Sequence, residues 1–164
     1  MNIRNAKEED LEQLVKLFLA YNRTLESYIP RRLHFFKEKK KTYETTIKKS
    51  ILKNIQNKEI KFLVAEENRT ILGSISGWIV KMNNPPFKDK PKVGYLGYLI
   101  VNKKFHKKGI ATKLHLELKK WFISKKCNFI RLEVSTNNPA KKIYEKWGFE
   151  CDHVKMVQKL NVPK

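Results

Sequence analysis

The stretch from Lys92 to Ile123 limits the fold more than any other part of the chain. Val93 to Val101 is an apolar run that reads as a buried strand, and Asn102 to Lys108 is a charged turn. From there Ile110, Leu114, Leu118 and Trp121 recur at helical spacing, with Lys113, Glu117, Lys119 and Lys120 on the other side. At the junction stands His106-Lys107-Lys108-Gly109-Ile110-Ala111-Thr112. A helix start leaves backbone N–H groups without partners and adds the positive end of the helix dipole. Gly109 and Ala111 keep side-chain bulk out of the way, so another group can approach the backbone closely. The junction is a candidate cradle for a diphosphate, held by the N–H groups of Lys107, Lys108, Gly109, Ile110, Ala111 and Thr112. Two other phosphate-loop patterns, G-x-x-x-x-G-K-[ST] and G-x-G-x-x-G, are absent from it.

The rest of the chain supplies alternating elements. Residues 2–6 read as a short strand. Asp10 or a neighbour caps a helix whose apolar stripe is Leu11, Leu14, Val15 and Phe18, ending near Asn22. Residues 23–42 are irregular in pattern. They hold Tyr28, Arg31, Arg32, His34, Phe35 and Phe36 and lead into the Lys37–Lys41 charge run, read as a solvated face. A second helix carries Tyr43, Ile47, Ile51 and Ile55 on one stripe. Ile60 to Ala65 and Thr70 to Lys81 form a hairpin about Glu67-Asn68-Arg69. Within its second strand Gly73, Ser74, Ser76 and Gly77 mark a bulge or a closely approaching ligand. After a proline-bearing loop at 83–91 come the organising strand and helix. Phe129 to Thr136 is a further strand, and the crossover makes it parallel to 93–101 and right-handed. Asn138, with Pro139 behind it, opens a short helix that Gly148 closes. Phe149 to Leu160 reads as a last strand.

A chain of 164 residues suits one domain, 1–164, with one core. At 41% hydrophobic and 11% aromatic residues it is a globular composition. No run approaches the roughly 20 apolar residues of a membrane span. The opening Met1-Asn2-Ile3-Arg4 does not read as an apolar signal segment, and the expected location is cytoplasmic. Cys127 and Cys151 lack metal or disulfide spacing and read as buried small apolar residues, so no metal is expected. The net charge of +20 fits a nucleic-acid surface, an anionic ligand, or simply a lysine-rich composition. Lysine far outnumbers arginine, and the compositional reading is preferred.

His106-Lys107-Lys108-Gly109-Ile110-Ala111 resembles the acetyl-CoA motif [Q/R]-x-x-G-x-[G/A] of the GCN5-related N-acetyltransferase (GNAT) family, with His106 in place of Gln or Arg. Asn137 to Phe149 is similar to that family's N-x-x-A-x-x-x-Y-x-x-x-G-F segment. Ile3 to Leu11 looks like its opening strand and first helix. The three matches come in order and span nearly the whole chain. The resemblance implies an α/β (α+β) fold: a mixed central sheet of about six to seven strands flanked by about four helices, with a splayed parallel strand pair. It implies that acetyl-CoA lies in the splay. Its arm would pair with the backbone of Leu99, Ile100 and Val101, its diphosphate would sit on Lys107 to Thr112, and Asn137 would contact it.

The implied reaction is acetyl transfer to a primary amine of a small molecule, peptide or protein. A free alkylamine has a pKa of about 10 and must lose a proton to attack. Tyr144 occupies the place of the family's proton donor to the leaving thiolate. Glu133 resembles a glutamate that serves some members as base, though it stands one residue closer to Asn137 than expected. Glu66, His34 and Tyr98 are lesser candidates, and a water chain could serve instead. A backbone donor for the developing oxyanion falls to Leu99 or Ile100. Lys103, Lys104, Lys107 and Lys108 can supply the charge that His106 does not. Arg31, Arg32 and the lysines favour an acceptor with nearby negative charge. Similarity to aminoglycoside-modifying members points instead to polycations, which a +20 chain repels. The alternative is an inactive module of the same fold that binds RNA or ribosomes. Either a monomer or a homodimer is compatible with the sequence.

Overall fold

The computed structural model describes residues 1–28, 40–81, 91–154 and 156. Among them a five-stranded sheet runs β1-β2-β3-β4-β5. The strands are β1 (Asn2–Asn5), β2 (Lys61–Glu67), β3 (Thr70–Lys81), β4 (Lys92–Val101) and β5 (Phe129–Arg131). All neighbours pair antiparallel except β4 and β5, which are parallel as the crossover requires. Four α-helices lie among the described residues: α1 (Leu11–Glu26), α2 (Lys40–Gln56), α3 (Ile110–Ser124) and α4 (Lys141–Lys146).

The sheet is buried on both faces, which is why β2 reads as the unbroken run Phe62-Leu63-Val64-Ala65. Phe62 and Val64 join Leu14, Val15, Leu17, Ile47 and Ile51 under α1 and α2. Leu63 and Ala65 join Leu114, Leu118 and Phe122 under α3. In the hairpin turn Asn68 and Arg69 take φ of 50° and 60°, the left-handed pair that matches strand twist. Helix α3 lies very close to the sheet. A Cβ on Gly94 would stand 2.5 Å from the Phe122 ring, and one on Gly77 2.7 Å from it.

Several sequence expectations need correction. The sheet has five strands, not six or seven, among the described residues. β5 stops at Arg131 instead of Thr136, because β4 turns away from it there. Residues 149–154 are not strand, and their side chains beyond Phe149 are exposed; the rest of 149–160, apart from Met156, lies outside the described residues. α1 continues past Asn22 to Glu26. Asp10 makes no cap bond to that helix. Its buried carboxylate is gripped by both terminal nitrogens of Arg4 at 2.7 and 2.8 Å, and by the Lys7 N–H at 2.8 Å. Burial alone would raise that carboxyl; Arg4 and the Lys7 N–H together hold it below its ordinary value. In α3, Trp121 is only half-buried, and His115 and Phe122 take the inner positions. Cys127 is half-buried but Cys151 is exposed, so only one thiol approaches the expected burial.

Candidate functional site

The site begins with one extra residue. Ser76 pairs with Tyr98 and Gly77 with Leu96, so Gly97 is left over as a bulge in β4. The bulge reverses the alternation of side chains. Leu96 faces α3, while Tyr98 and Ile100 pack under α1 and α2. It also separates the parallel pair. Val93, Gly94 and Tyr95 pair with Phe129, Ile130 and Arg131, and pairing ends there. Beyond the bulge Leu99, Ile100 and Val101 have β3 on one side and no strand on the other among the described residues.

Backbone direction can be read along this free half. Asn102 donates its N–H to the Leu72 carbonyl at 2.8 Å. The Ile100 carbonyl also lies on the β3 side, 2.7 Å from where a Cβ would stand on Gly73. Bonding directions alternate along an antiparallel pair. Ile100 is thus committed to β3, and Leu99 and Val101 turn their backbone groups into the gap. One of these is already engaged: His106 donates from Nε2 to the Val101 carbonyl at 2.9 Å. His106 therefore braces the turn instead of reaching outward as Gln or Arg would.

The turn itself is open. Lys107 and Gly109 adopt left-handed φ of 61° and 73°. No N–H from Lys107 to Thr112 has an acceptor among the described residues; Lys113 is the first, donating to the Gly109 carbonyl at 3.0 Å. A Cβ built on Gly109 would meet nothing within 4 Å. These are the features a diphosphate requires: a ring of free donors, a helix start and unfilled space. Lys103, Lys104, Lys107 and Lys108 are exposed around it. The Lys108 ammonium stands 5.4 Å from the Phe105 ring centroid, which limits its wandering.

The next motif of the chain is α4. The Asn138 side chain accepts from the Ala140 N–H at 2.9 Å, but α4 itself starts at Lys141 with Ala140 at its N-cap, later than the expected start at Pro139; Gly148 follows the helix with φ of 87°, as expected. Asn137 is exposed beside it. Tyr144 is half-buried, with Trp147 and Phe149 ring centroids 5.7 and 5.9 Å away in edge-on contact. Burial, with Tyr21 adding to it, pushes its hydroxyl up to about 12. Tyr144 is thus protonated at neutral pH and held rigidly. His115 of α3 stacks flat on Trp147, with centroids 4.3 Å apart, and so ties α3 to α4. It is buried, its Nδ1 has no partner, and burial lowers its pKa to about 4. Sequence reading passed over His115, although it stands three residues before Leu118 and seven before Phe122.

The base candidates separate cleanly. Glu133 is exposed and forms no ion pair among the described residues. Glu66 is taken by Arg4 at 2.5 Å. Tyr98 is pressed between Phe18 and Phe62, and burial lifts its hydroxyl to about 12. The Ser76 and Asn54 side chains near that hydroxyl offset part of the rise. His34, Arg31 and Arg32 lie outside the described residues, as do residues 82–90 of the proline-bearing loop.

Comparison with known proteins agrees with this geometry. The fold is shared with a tetramutant of the BH1408 protein from Bacillus halodurans. That match has a TM-score of 0.82 and 21% identity over 98% of this chain and 100% of that one. It is shared also with an aminoglycoside 6'-N-acetyltransferase, AAC(6')-IG, from Acinetobacter haemolyticus. There the TM-score is 0.70, with 17% identity over 98% of this chain and all of the other. A third match is the aminoglycoside N-acetyltransferase AAC(6')-Iy in complex with CoA, with a TM-score of 0.71 and 19% identity over 96% and 93% of the two chains. No curated protein matches the sequence at a significant level. No helix among the described residues is long and apolar enough to cross a membrane. The model of the acetyltransferase (GNAT) family matches residues 19–149, which include β4, its bulge, the turn at Gly109 and α4, and the chain therefore belongs to that family.

Proposed function

We propose that the protein is an acetyl-CoA-dependent N-acetyltransferase acting on a primary amine. The observation that carries this reading is the pairing of two vacant backbone surfaces: the free N–H groups at 107–112 and the unpaired half of β4. An extended amide arm ending in a diphosphate fits that pairing, because it can satisfy a strand edge and a helix start at once. Bound there, acetyl-CoA supplies an activated acyl carbon and a thiolate leaving group.

The chain's own groups do the rest. Leu99 turns its N–H into the gap, where it can stabilise charge growing on the acyl oxygen. Glu133, free of any cation, accepts the proton that the acceptor ammonium must lose, directly or through water. The amine nitrogen then replaces sulfur at the acyl carbon. A C–N bond forms, the C–S bond breaks, and amide and thiol leave. Tyr144 donates a hydrogen bond to the departing sulfur. An ordinary thiol has a pKa of about 8.5, so full proton transfer from a phenol near 12 is uphill. Tyr144 therefore acts by donating a hydrogen bond, and solvent delivers the proton.

Thiol release from acetyl-CoA over an amine panel tests the reading. Tyr144→Phe should lower kcat by about 10² while coenzyme A affinity changes less than about twofold. Unaltered kcat in that variant removes Tyr144 from the chemistry. No thiol release with any amine, together with tight RNA binding that falls steeply with salt, replaces the enzyme by an RNA-binding module.

A further inference from the structure

The sheet face under α1 and α2 carries a corner that cofactor binding does not use. Trp78 of β3 and Tyr95 of β4 stand directly opposite each other. Their rings stack with centroids 4.8 Å apart and planes 25° from parallel. Both are half-buried. The indole lies over the Gly97 bulge, where a Cβ would come within 2.4 Å of it. The aromatic step therefore ends at the point where β4 leaves β5.

Glu133 faces the same corner. Tyr95 pairs with Arg131 at the last step of the parallel ladder, and Glu133 follows two residues later, with its carboxylate beside the Tyr95 hydroxyl. Ile130 and Leu132 pack towards α3, which sends Arg131 and Glu133 to the opposite face. Arg131 is neutralised by Asp152 at 2.9 Å. Glu133 has no such partner. Burial raises the Tyr95 hydroxyl, and the Glu133 carboxylate beside it adds to the effect, with Arg131 offsetting part.

We propose that Trp78, Tyr95 and Glu133 form the acceptor subsite, and that the acceptor is a primary amine carried on a flat apolar body with a single positive charge. Aromatic faces cover an apolar body and attract an ammonium. One free carboxylate balances one charge. A polycation brings further charges that the +20 chain repels, and an acidic acceptor meets Glu133. The proposal rests on the acetyl-transfer reading for its chemistry, but amine binding can be measured without turnover.

The test titrates the cofactor-free full chain with phenethylamine, spermidine and an acidic peptide with a free N-terminus. The Trp78 indole N–H resonance is followed alongside calorimetry. Phenethylamine should shift that resonance and bind about tenfold tighter than either rival. Trp78→Ala should weaken it about tenfold with coenzyme A affinity unchanged. Glu133→Gln, an exposed isosteric change, should weaken it severalfold and covers the case in which Trp78→Ala fails to fold. Tighter binding of spermidine or the peptide overturns the acceptor class. Phenethylamine binding that ignores both substitutions overturns the subsite. Binding at Trp78 with no thiol release upholds the subsite and sinks the acetyl-transfer reading instead.

Discussion

Gly109 has a backbone conformation that side chains disfavour and faces space that no protein atom fills. Those two properties separate cleanly in a substitution. Gly109→Val forces a branched residue to φ of 73°, which should cost about 1–2 kcal/mol of stability. Its side chain would project into the empty cradle, so coenzyme A affinity should fall at least about tenfold. Calorimetry and urea unfolding measure the two effects; undiminished affinity would count against the cradle. His115 offers a second residue-scale outcome. Its pKa falls from 6.5 to about 4 on folding, so the unfolded chain binds the extra proton between those values. Stability is then full above pH 6.5 and declines as the pH drops towards 4, by about 3 kcal/mol in all. His115→Phe, which keeps a ring against Trp147, should flatten that decline, and an unchanged pH slope of unfolding would exclude His115 as its source. The Asp10 pair acts separately, because a depressed carboxyl loses its contribution only below the ordinary carboxylate range. Gly109 was visible in the sequence because G-x-A before an amphipathic helix has a local geometric meaning. His115 was not: it is polar, and its partner Trp147 is 32 positions away in the chain, so the stack exists only in three dimensions.

At the scale of elements, the strand–turn–helix unit of β4 and α3 decides where everything else sits. Phe122 lies flat on Gly94 and Gly77 and sets the height of α3 above the sheet. Phe122→Ala should cost about 3–5 kcal/mol, because the cavity cannot close without moving the helix. The same shift should weaken coenzyme A binding, since α3 carries half of the free N–H groups. Loss of stability with full cofactor affinity would show that the turn is positioned independently of the helix. The element pattern was largely legible beforehand. Spacing and capping signals located the helices and strands of the described residues but not all their bounds: α1 runs past Asn22 to Glu26, α2 begins at Lys40 inside the stretch read as irregular, β5 is short, and residues 149–154 are not strand. The short β5 has a physical cause. A β-branched run is a strand only where a neighbour pairs with it, and the Gly97 bulge removes that neighbour after Arg131. A bulge depends on register between strands, and the glycines of β3 and β4 hinted at it without placing it.

Across the whole molecule, the bulge, the splay and the open turn lie along one line, from the Trp78 corner past Leu99 and Val101 to Gly109. Lysine and arginine outnumber the acidic groups, and several of the latter are paired among the described residues, so the basic excess surrounds this line without choosing an acceptor. The sequence carried the cofactor end of the line in short motifs. The proposed acceptor end draws on residues of β3, β4 and the segment that follows β5, and no local pattern announces it. The central claim is that a diphosphate-tailed arm lies along this line on backbone groups. Titrating coenzyme A into isotope-labelled protein and following the amide resonances tests it most directly. The account predicts large shifts at Leu99, at Val101 and from Lys107 to Thr112, with little change in β1 and β2. Shifts confined to other surfaces, or none at saturating coenzyme A, would contradict it.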